Sequence, residues 1–332
     1  MSERLISHSE TSALLTCQHR WDFQYGFQLA GSSLKSKDTP LQLREGRAWG
    51  AMAAAHHTGA DLADCLTVGV ESLEADAERQ REFGMFVQED YDESVLRMAG
   101  LIEHYRSMNP PLGIDRLEHE IVVPIPSRSG RQDSNRYKLQ TFFDGLYTDE
   151  AGRVWIVEFK LRKQLSSILQ ISLSRQIRWY AWAYRKETGI EPAGVMVDER
   201  LNALPKPVKL NKDGSPSKVQ SCTPEDYIEA GGEDEEVLEK LRTKRWGQRE
   251  SVLLTTAEID EAGKQLVSAG QQIRDFDTAD RYPVRNPSPL YCPGCQFKDV
   301  CPNPGDTDLV DALFERTTPK KDRNQHKEAV PA

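Results

Sequence analysis

Residues 154–161, VWIVEFKL, decide the fold. Their β-branched and aromatic composition, set off by the turn-forming TDEAG before them, reads as a strand. Side chains alternate along a strand, so Glu158 and Lys160 share one face while Val157, Phe159 and Leu161 share the other. Upstream, RLEHEIVVPIP and YKLQTFFDGLY keep the same period of two, and SRSGRQDSN and TDEAG supply the turns. An antiparallel meander follows. Downstream, a long helix is expected over about residues 166–186, stopped at Gly189, and then a further apolar strand, AGVMVDERL. Strand, helix and strand imply a crossover, and hence an α/β fold with a central mixed sheet flanked by helices.

Before the sheet the chain reads as helical. A Ser9 or Thr11 cap opens a helix to about Phe27 that would carry Cys17, and a second runs from about Leu41 to Gly59. Two acidic helices follow over about residues 61–81 and 83–108, the latter stopped by Asn109-Pro110-Pro111. After the sheet, residues 205–223 are a Lys-, Pro- and Ser-rich loop, and helical patterns resume from Pro224 to about Asp275. The expected organisation is a helical region 1–112, a core 113–200, a C-terminal helical region with clustered cysteines 201–316, and a disordered tail 317–332.

The net charge of −9 argues at first against a polyanionic partner. Its distribution argues otherwise. Acid is gathered in two runs, residues 71–93 and 225–239, whereas between Phe159 and Lys186 stand Lys160, Arg162, Lys163, Arg175, Arg178, Arg185 and Lys186 with no acid. A hydrophobic fraction of 38% provides enough apolar surface for a packed core. No apolar run is long enough for a membrane span and no leader pattern opens the chain, so a cytoplasmic protein without membrane contact is expected. Of the six cysteines, Cys292, Cys295 and Cys301 crowd together, which favours metal ligation over a disulfide framework. Cys65 and Cys222 have no evident partner and read as a core thiol and a loop thiol.

If TDEAG turns the chain, Asp144 falls nearly opposite Glu158, which puts two carboxylates within reach of one cation; Glu120 on the preceding strand can supply a third. Hard oxygen ligands of this kind hold Mg²⁺ or Mn²⁺ with open water positions, suited to phosphodiester hydrolysis, and Lys160 can orient the water or stabilise the phosphate charge. The spacing alone equally describes a cross-strand salt bridge. On the following helix Gln176 and Tyr180 stand one turn apart on a single face. Tyr180 also fits a core aromatic.

Taken together, FDG, EFK and QIRWY resemble the motifs of the RecB-like branch of the PD-(D/E)XK nucleases. That resemblance implies a restriction-endonuclease-like core, with Asp144 and Glu158 as metal ligands, Lys160 as the catalytic lysine, and Gln176 and Tyr180 contacting DNA or buttressing the site. Two departures stand out. Phe143 replaces the proline before Asp144, and four residues after Gly46, where the family usually carries a metal-binding His, stands Gly50. His56 or His57, two turns on, can take that place, with His56 the choice here, or can simply favour the helix end. The loop LNALPKPVKLNKDGSPSK is similar to a segment of phage-borne family members and can line an entering strand or stay a solvated loop.

Cys292, Cys295 and Cys301 form C-x2-C-x5-C, with Pro293-Gly294 giving a tight turn. Relatives with an iron–sulfur cluster take one cysteine from the N-terminal region, so the resemblance implies Cys17 as the fourth ligand of a [4Fe–4S] cluster that staples the two chain ends together. A zinc site, with His19 as a further ligand, is the competing reading. By the same resemblance the activity is exonucleolytic processing of DNA, single-stranded or at resected ends, in phage or bacterial recombination or repair, with a recombination partner protein. The rivals are a CRISPR-adaptation nuclease of the same fold, a catalytically silent iron–sulfur DNA-binding module, and a zinc-stabilised scaffold with no nucleic-acid role.

Overall fold

The computed structural model describes residues 3–127, 129 and 132–322. After strand β1 (Arg4–Ile6), Ser7 caps helix α1 (His8–Thr16) by accepting the Glu10 backbone N–H. The single helix expected through Phe27 is broken at Cys17, whose extended backbone (φ −160°, ψ 121°) separates α1 from α2 (Gln18–Tyr25). Cys17 therefore stands at a helix junction and not within a helix. The break lets Leu14 of α1 and Trp21 of α2 enter one core.

Strand β2 (Ser33–Ser36) leads into three helices, α3 (Leu41–His57), α4 (Leu62–Glu82) and α5 (Gln88–Met108), at nearly the expected bounds. They bury Trp49, Met52, Leu73, Leu101 and Ile102 against Val157 and Phe159, the apolar face read from the EFK strand. Gly69 lets α4 approach α3 closely, since a Cβ there would meet Met52 Sδ at 2.5 Å.

The meander is formed by β3 (Arg116–Pro126), β4 (Asp133–Thr148) and β5 (Val154–Arg162). The long helix expected next is split into α6 (Ile168–Ser172) and α7 (Arg175–Thr188), the latter ending at a left-handed Gly189. Strand β6 (Gly194–Leu201) returns parallel to β5, as a crossover requires. Two short helices, α8 (Pro224–Glu229) and α9 (Glu235–Arg242), precede β7 (Gly247–Leu253) and the long α10 (Thr256–Asp277). A helical pattern was the expectation across β7. As an edge strand beside β6, β7 has partly exposed polar side chains and no apolar run to signal it. The chain closes with α11 (Thr307–Leu313), β8 (Phe314–Thr317) and a 3₁₀ turn, Lys320–Asp322.

The resulting six-stranded mixed sheet has the order β1-β4-β5-β6-β7, with β3 also on β4. β2 and β8 form a separate antiparallel pair that joins the two ends of the chain. The tail expected to be unstructured from 317 on is described as far as 322, where β2 pairs with Thr317 and Lys320 reaches Glu10; the remainder of that expectation lies outside the described residues. No helix among the described residues is long and apolar enough to cross a membrane.

A buried ionic network, invisible to hydrophobic patterning, ties these ends to the core. Arg4, fully buried, donates to Glu10 and, at 3.0 Å, to Asp277 Oδ2, while Lys320 Nζ reaches Glu10 Oε2 at 2.7 Å. Burial alone would raise the Glu10 carboxyl, but Arg4 and Lys320 outweigh it and hold it down at about 2. Arg4→Met leaves buried Asp277 without its cation and Glu10 with Lys320 alone, and a urea titration should show a loss of about 3–5 kcal/mol. A loss under about 1 kcal/mol would mean that water already reaches the network.

Candidate active site

The ladder between β4 and β5 ends at Gly145 opposite Val157. One step further the register sets Asp144 beside Glu158, and here the strands part: Asp144 Oδ2 accepts the Phe159 backbone N–H at 2.7 Å. On the other side of β4, Leu117 pairs with Gly145 and His119 with Phe143, which brackets Glu118 opposite Asp144. Glu118 holds a left-handed backbone, φ 44°, uncommon for a residue with a side chain. Glu118, Asp144 and Glu158 therefore form a row of acids across three strands. All three line a cleft of about 590 Å³ with Lys160, roofed by Gly46, Arg47, Gly50 and Ala54 of α3.

Glu158 is only 3% exposed. Lys160 forms an ion pair with its Oε1, and Gln176 Nε2 donates to the same oxygen at 2.8 Å and to the Tyr180 hydroxyl at 2.6 Å. Its Oε2 is buried without a hydrogen-bond partner among the described residues. Burial first, and the Glu158 charge second, raise the Tyr180 hydroxyl well above its ordinary range, so it stays a neutral phenol. The Tyr180 ring also packs on Phe143, centroids 4.9 Å apart, so it is both core aromatic and site residue. Asp144 is pushed up to about 7 by burial and then by Glu158, against Lys160 and the Phe159 N–H.

Five residues picked from the sequence, Asp144, Glu158, Lys160, Gln176 and Tyr180, are thus brought together. Two others are not. Glu120 accepts from Gln140 Nε2 at 2.7 Å, and the neighbouring Glu118 takes the place by the cleft. His56 meets the Asn109 carbonyl at 2.7 Å through Nε2 and Arg106 at 3.1 Å through Nδ1, buried against α5. His57 is likewise held, by the Tyr105 hydroxyl at 2.7 Å and the Leu112 N–H at 3.2 Å. Helical spacing explains this: Gly46, Gly50 and Ala54 follow one face of α3, and His56 lies off that stripe. A Cβ added at Gly50 would meet nothing within 4 Å. Glu118 was legible only through register, which the turn between β3 and β4 sets and its sequence does not announce.

The basic run is partly neutralised from elsewhere. Arg162 pairs with Glu199, Arg178 with Glu258, Arg185 with Asp260 and Lys186 with Asp133.

Hard oxygen donors, an orphaned Glu158 oxygen and a carboxyl that resists ionisation beside a like charge are what a bound divalent cation would satisfy, so the residues fit Mg²⁺ or Mn²⁺. Among the described residues no three His, Cys, Asp or Glu side chains, at these acids or among the cysteines, are already grouped to hold a metal ion.

A second cluster lies at the chain ends. Cys17, Cys292, Cys295 and Cys301 line one cavity of about 230 Å³ with His19 and Arg285, and none is in a disulfide. Burial, assisted by the neighbouring thiols and opposed by Arg285, raises Cys301. The Ser288 N–H points at Cys292 Sγ, 3.2 Å away. The four thiols share this cavity without being drawn together into a metal-holding group among the described residues. Beneath them Phe23, Phe297 and Phe314 stack, tying α2 to the C-terminal segment. Cys65 and Cys222 are buried in other cores, away from this cavity.

The sequence profile of the PD-(D/E)XK nuclease superfamily matches residues 5–302, a span that holds both clusters. The chain belongs to the PD-(D/E)XK nuclease superfamily. Among solved structures, a protein from Eubacterium rectale solved as a candidate exonuclease is 9% identical, with TM-score 0.45 over 88% of this chain and 87% of that one. The structure of SSO0001 is 11% identical, with TM-score 0.37 over 91% and 87%. No curated protein matches the chain.

Because Asp144 is raised from 3.8 to about 7, its contribution to stability is complete below about pH 4 and is lost as pH rises through about 7. In EDTA, the unfolding midpoint of the native chain should therefore fall more steeply across that window than that of Asp144→Asn. Parallel slopes would assign the titration to another group.

Proposed function

We propose that this superfamily member is a metal-dependent deoxyribonuclease that degrades DNA from its ends, in recombination or repair. The observation that supports it most directly is the row of Glu118, Asp144 and Glu158 with Lys160 standing on Glu158. Asp144 and Glu158, assisted by Glu118 in place of Glu120, would hold Mg²⁺ or Mn²⁺. When bound, such an ion neutralises phosphate charge and makes water a better nucleophile. Gln176 fixes the Glu158 carboxylate through Oε1 and leaves Oε2 for the ion. Tyr180, neutral and packed on Phe143, keeps bulk water from the back of the site. Lys160, beside Glu158 at the cleft, would hold the attacking water or the scissile phosphate.

Cys17, Cys292, Cys295 and Cys301 would carry a [4Fe–4S] cluster with a structural role, since binding at both ends of the chain restrains the unfolded state. A second reading, a catalytically silent DNA-binding module, draws on Gly50 standing where relatives supply a histidine ligand. A CRISPR-adaptation role uses the same residues and differs only in partners.

End-labelled linear DNA should be degraded by anaerobically purified protein with Mg²⁺ or Mn²⁺ and spared in EDTA. Glu158→Ala and Lys160→Ala, both folded, should each lower the rate on the order of a thousandfold. Full activity in Lys160→Ala would discard the site; DNA binding without cleavage under either metal would establish the silent module. For the cysteines, Cys17→Ser should lose iron and its visible absorption and melt at lower temperature. Zinc in a colourless native protein would replace the cluster by a zinc site.

A further inference from the structure

Another concave site lies one strand along. β6 runs parallel to β5 with Lys160 beside Glu199 and Leu161 beside Arg200, and β7 closes the edge. Asp198, Glu199 and Arg200 are all buried. Alternation sends Glu199 to one face, where Arg162, Ser166 and Gln248 satisfy it. Asp198 and Arg200 go to the other, toward α5. Asp198 is satisfied by Arg249 Nε and the Tyr105 hydroxyl, each at 2.7 Å.

Arg200 is not. Its Nη2 meets His104 Nδ1 at 2.9 Å, yet Nε and Nη1 are buried without a hydrogen-bond partner among the described residues. A guanidinium keeps its charge and its five N–H donors, so a buried one calls for an acceptor. Burial lowers Arg200 to about 10, which still leaves it charged at neutral pH.

Arg200 lines a cavity of about 360 Å³ together with Lys244, Arg245 and Arg249 and with two carboxylates, Asp198 and Glu199. That volume lies in the range of small-molecule sites. Arg249 answers Asp198 and Arg162 answers Glu199, whereas Arg200, Lys244 and Arg245 form no ion pair among the described residues. Lys244 is held in place over the Trp246 ring at 4.0 Å and by Ser221 Oγ at 2.6 Å. With Asp198 and Glu199 answered by Arg249 and Arg162, the pocket keeps a surplus of positive charge from Arg200, Lys244 and Arg245, which favours an oxyanion over neutral or cationic ligands.

We propose that this pocket binds a phosphate group, with Arg200 at its base and Lys244 and Arg245 at its rim. Two sources share that chemistry: a phosphate of a DNA strand that also occupies the cleft, and a free phosphate or mononucleotide. Register sets Arg200 one strand from Lys160 at the same end of the sheet, with its side chain on the opposite face, so a DNA strand touching both would pass over that end of the sheet. The DNA arm rests on the nuclease reading; the free-phosphate arm does not.

The test is calorimetric titration of the full chain in EDTA with inorganic phosphate, a mononucleotide and an oligonucleotide, repeated on the rim variant Lys244→Ala/Arg245→Ala and on Arg200→Lys. Circular dichroism first establishes that each variant is folded. Saturable phosphate or mononucleotide binding that weakens at least tenfold in the rim variant supports the free ligand. Oligonucleotide binding that alone weakens tenfold supports the strand phosphate. Folded variants that bind all three ligands as the native chain does, or a native chain that binds none, overturn the proposal. No cleavage enters these readouts, so an inactive protein that binds phosphate would refute the nuclease reading and leave this one standing.

Discussion

Two carboxylates, Asp144 and Glu158, are held side by side by strand register where water is too scarce to keep both charged at no cost. Everything around them answers that repulsion. Asp144 draws in the Phe159 N–H and tends to keep a proton, Lys160 sits on Glu158, and Gln176 clamps one Glu158 oxygen while the other has no hydrogen-bond partner among the described residues. The strands part at Asp144, and this opens the cleft beneath α3. The site keeps its carboxylates close together at the cleft under α3. Glu118, held in an uncommon backbone conformation, adds a third.

The scaffold is closed by interactions between residues far apart in sequence. β2 pairs with β8, Arg4 binds Asp277, Lys320 reaches Glu10, and Cys17 faces Cys292, Cys295 and Cys301. The strand pair and the two ion pairs each restrain the same large loop, so each gains from the chain entropy the others have already removed. Burying Arg4 and Glu10 is favourable only because every charge in the group has a partner.

The meander, the crossover helix and the returning strand were legible because each carries a period of two or a dense apolar run. So were Asp144, Glu158, Lys160, Gln176 and Tyr180, since a strand fixes which neighbours share a face and a helix fixes which residues stand one turn apart. β7 was not legible, because an edge strand need not alternate. The break at Cys17 was missed as well, the flanking residues being fully compatible with helix. Glu120 and Glu118 have the same parity on β3, and only the pairing with β4 separates them.

By itself the sequence determined the local periods, the chemical types along one strand face and the family to which they belong, because these depend on neighbours in the chain. Only the tertiary structure decided that Glu118 joins the acids, that His56 and His57 are held by backbone and by Tyr105, and that Arg200 is buried with unmet donors beside Lys244 and Arg245. Those outcomes turn on register and on helix rotation about the core. A one-residue slip, or a rotation of a third of a turn, would exchange the residues facing each site while leaving every local pattern intact.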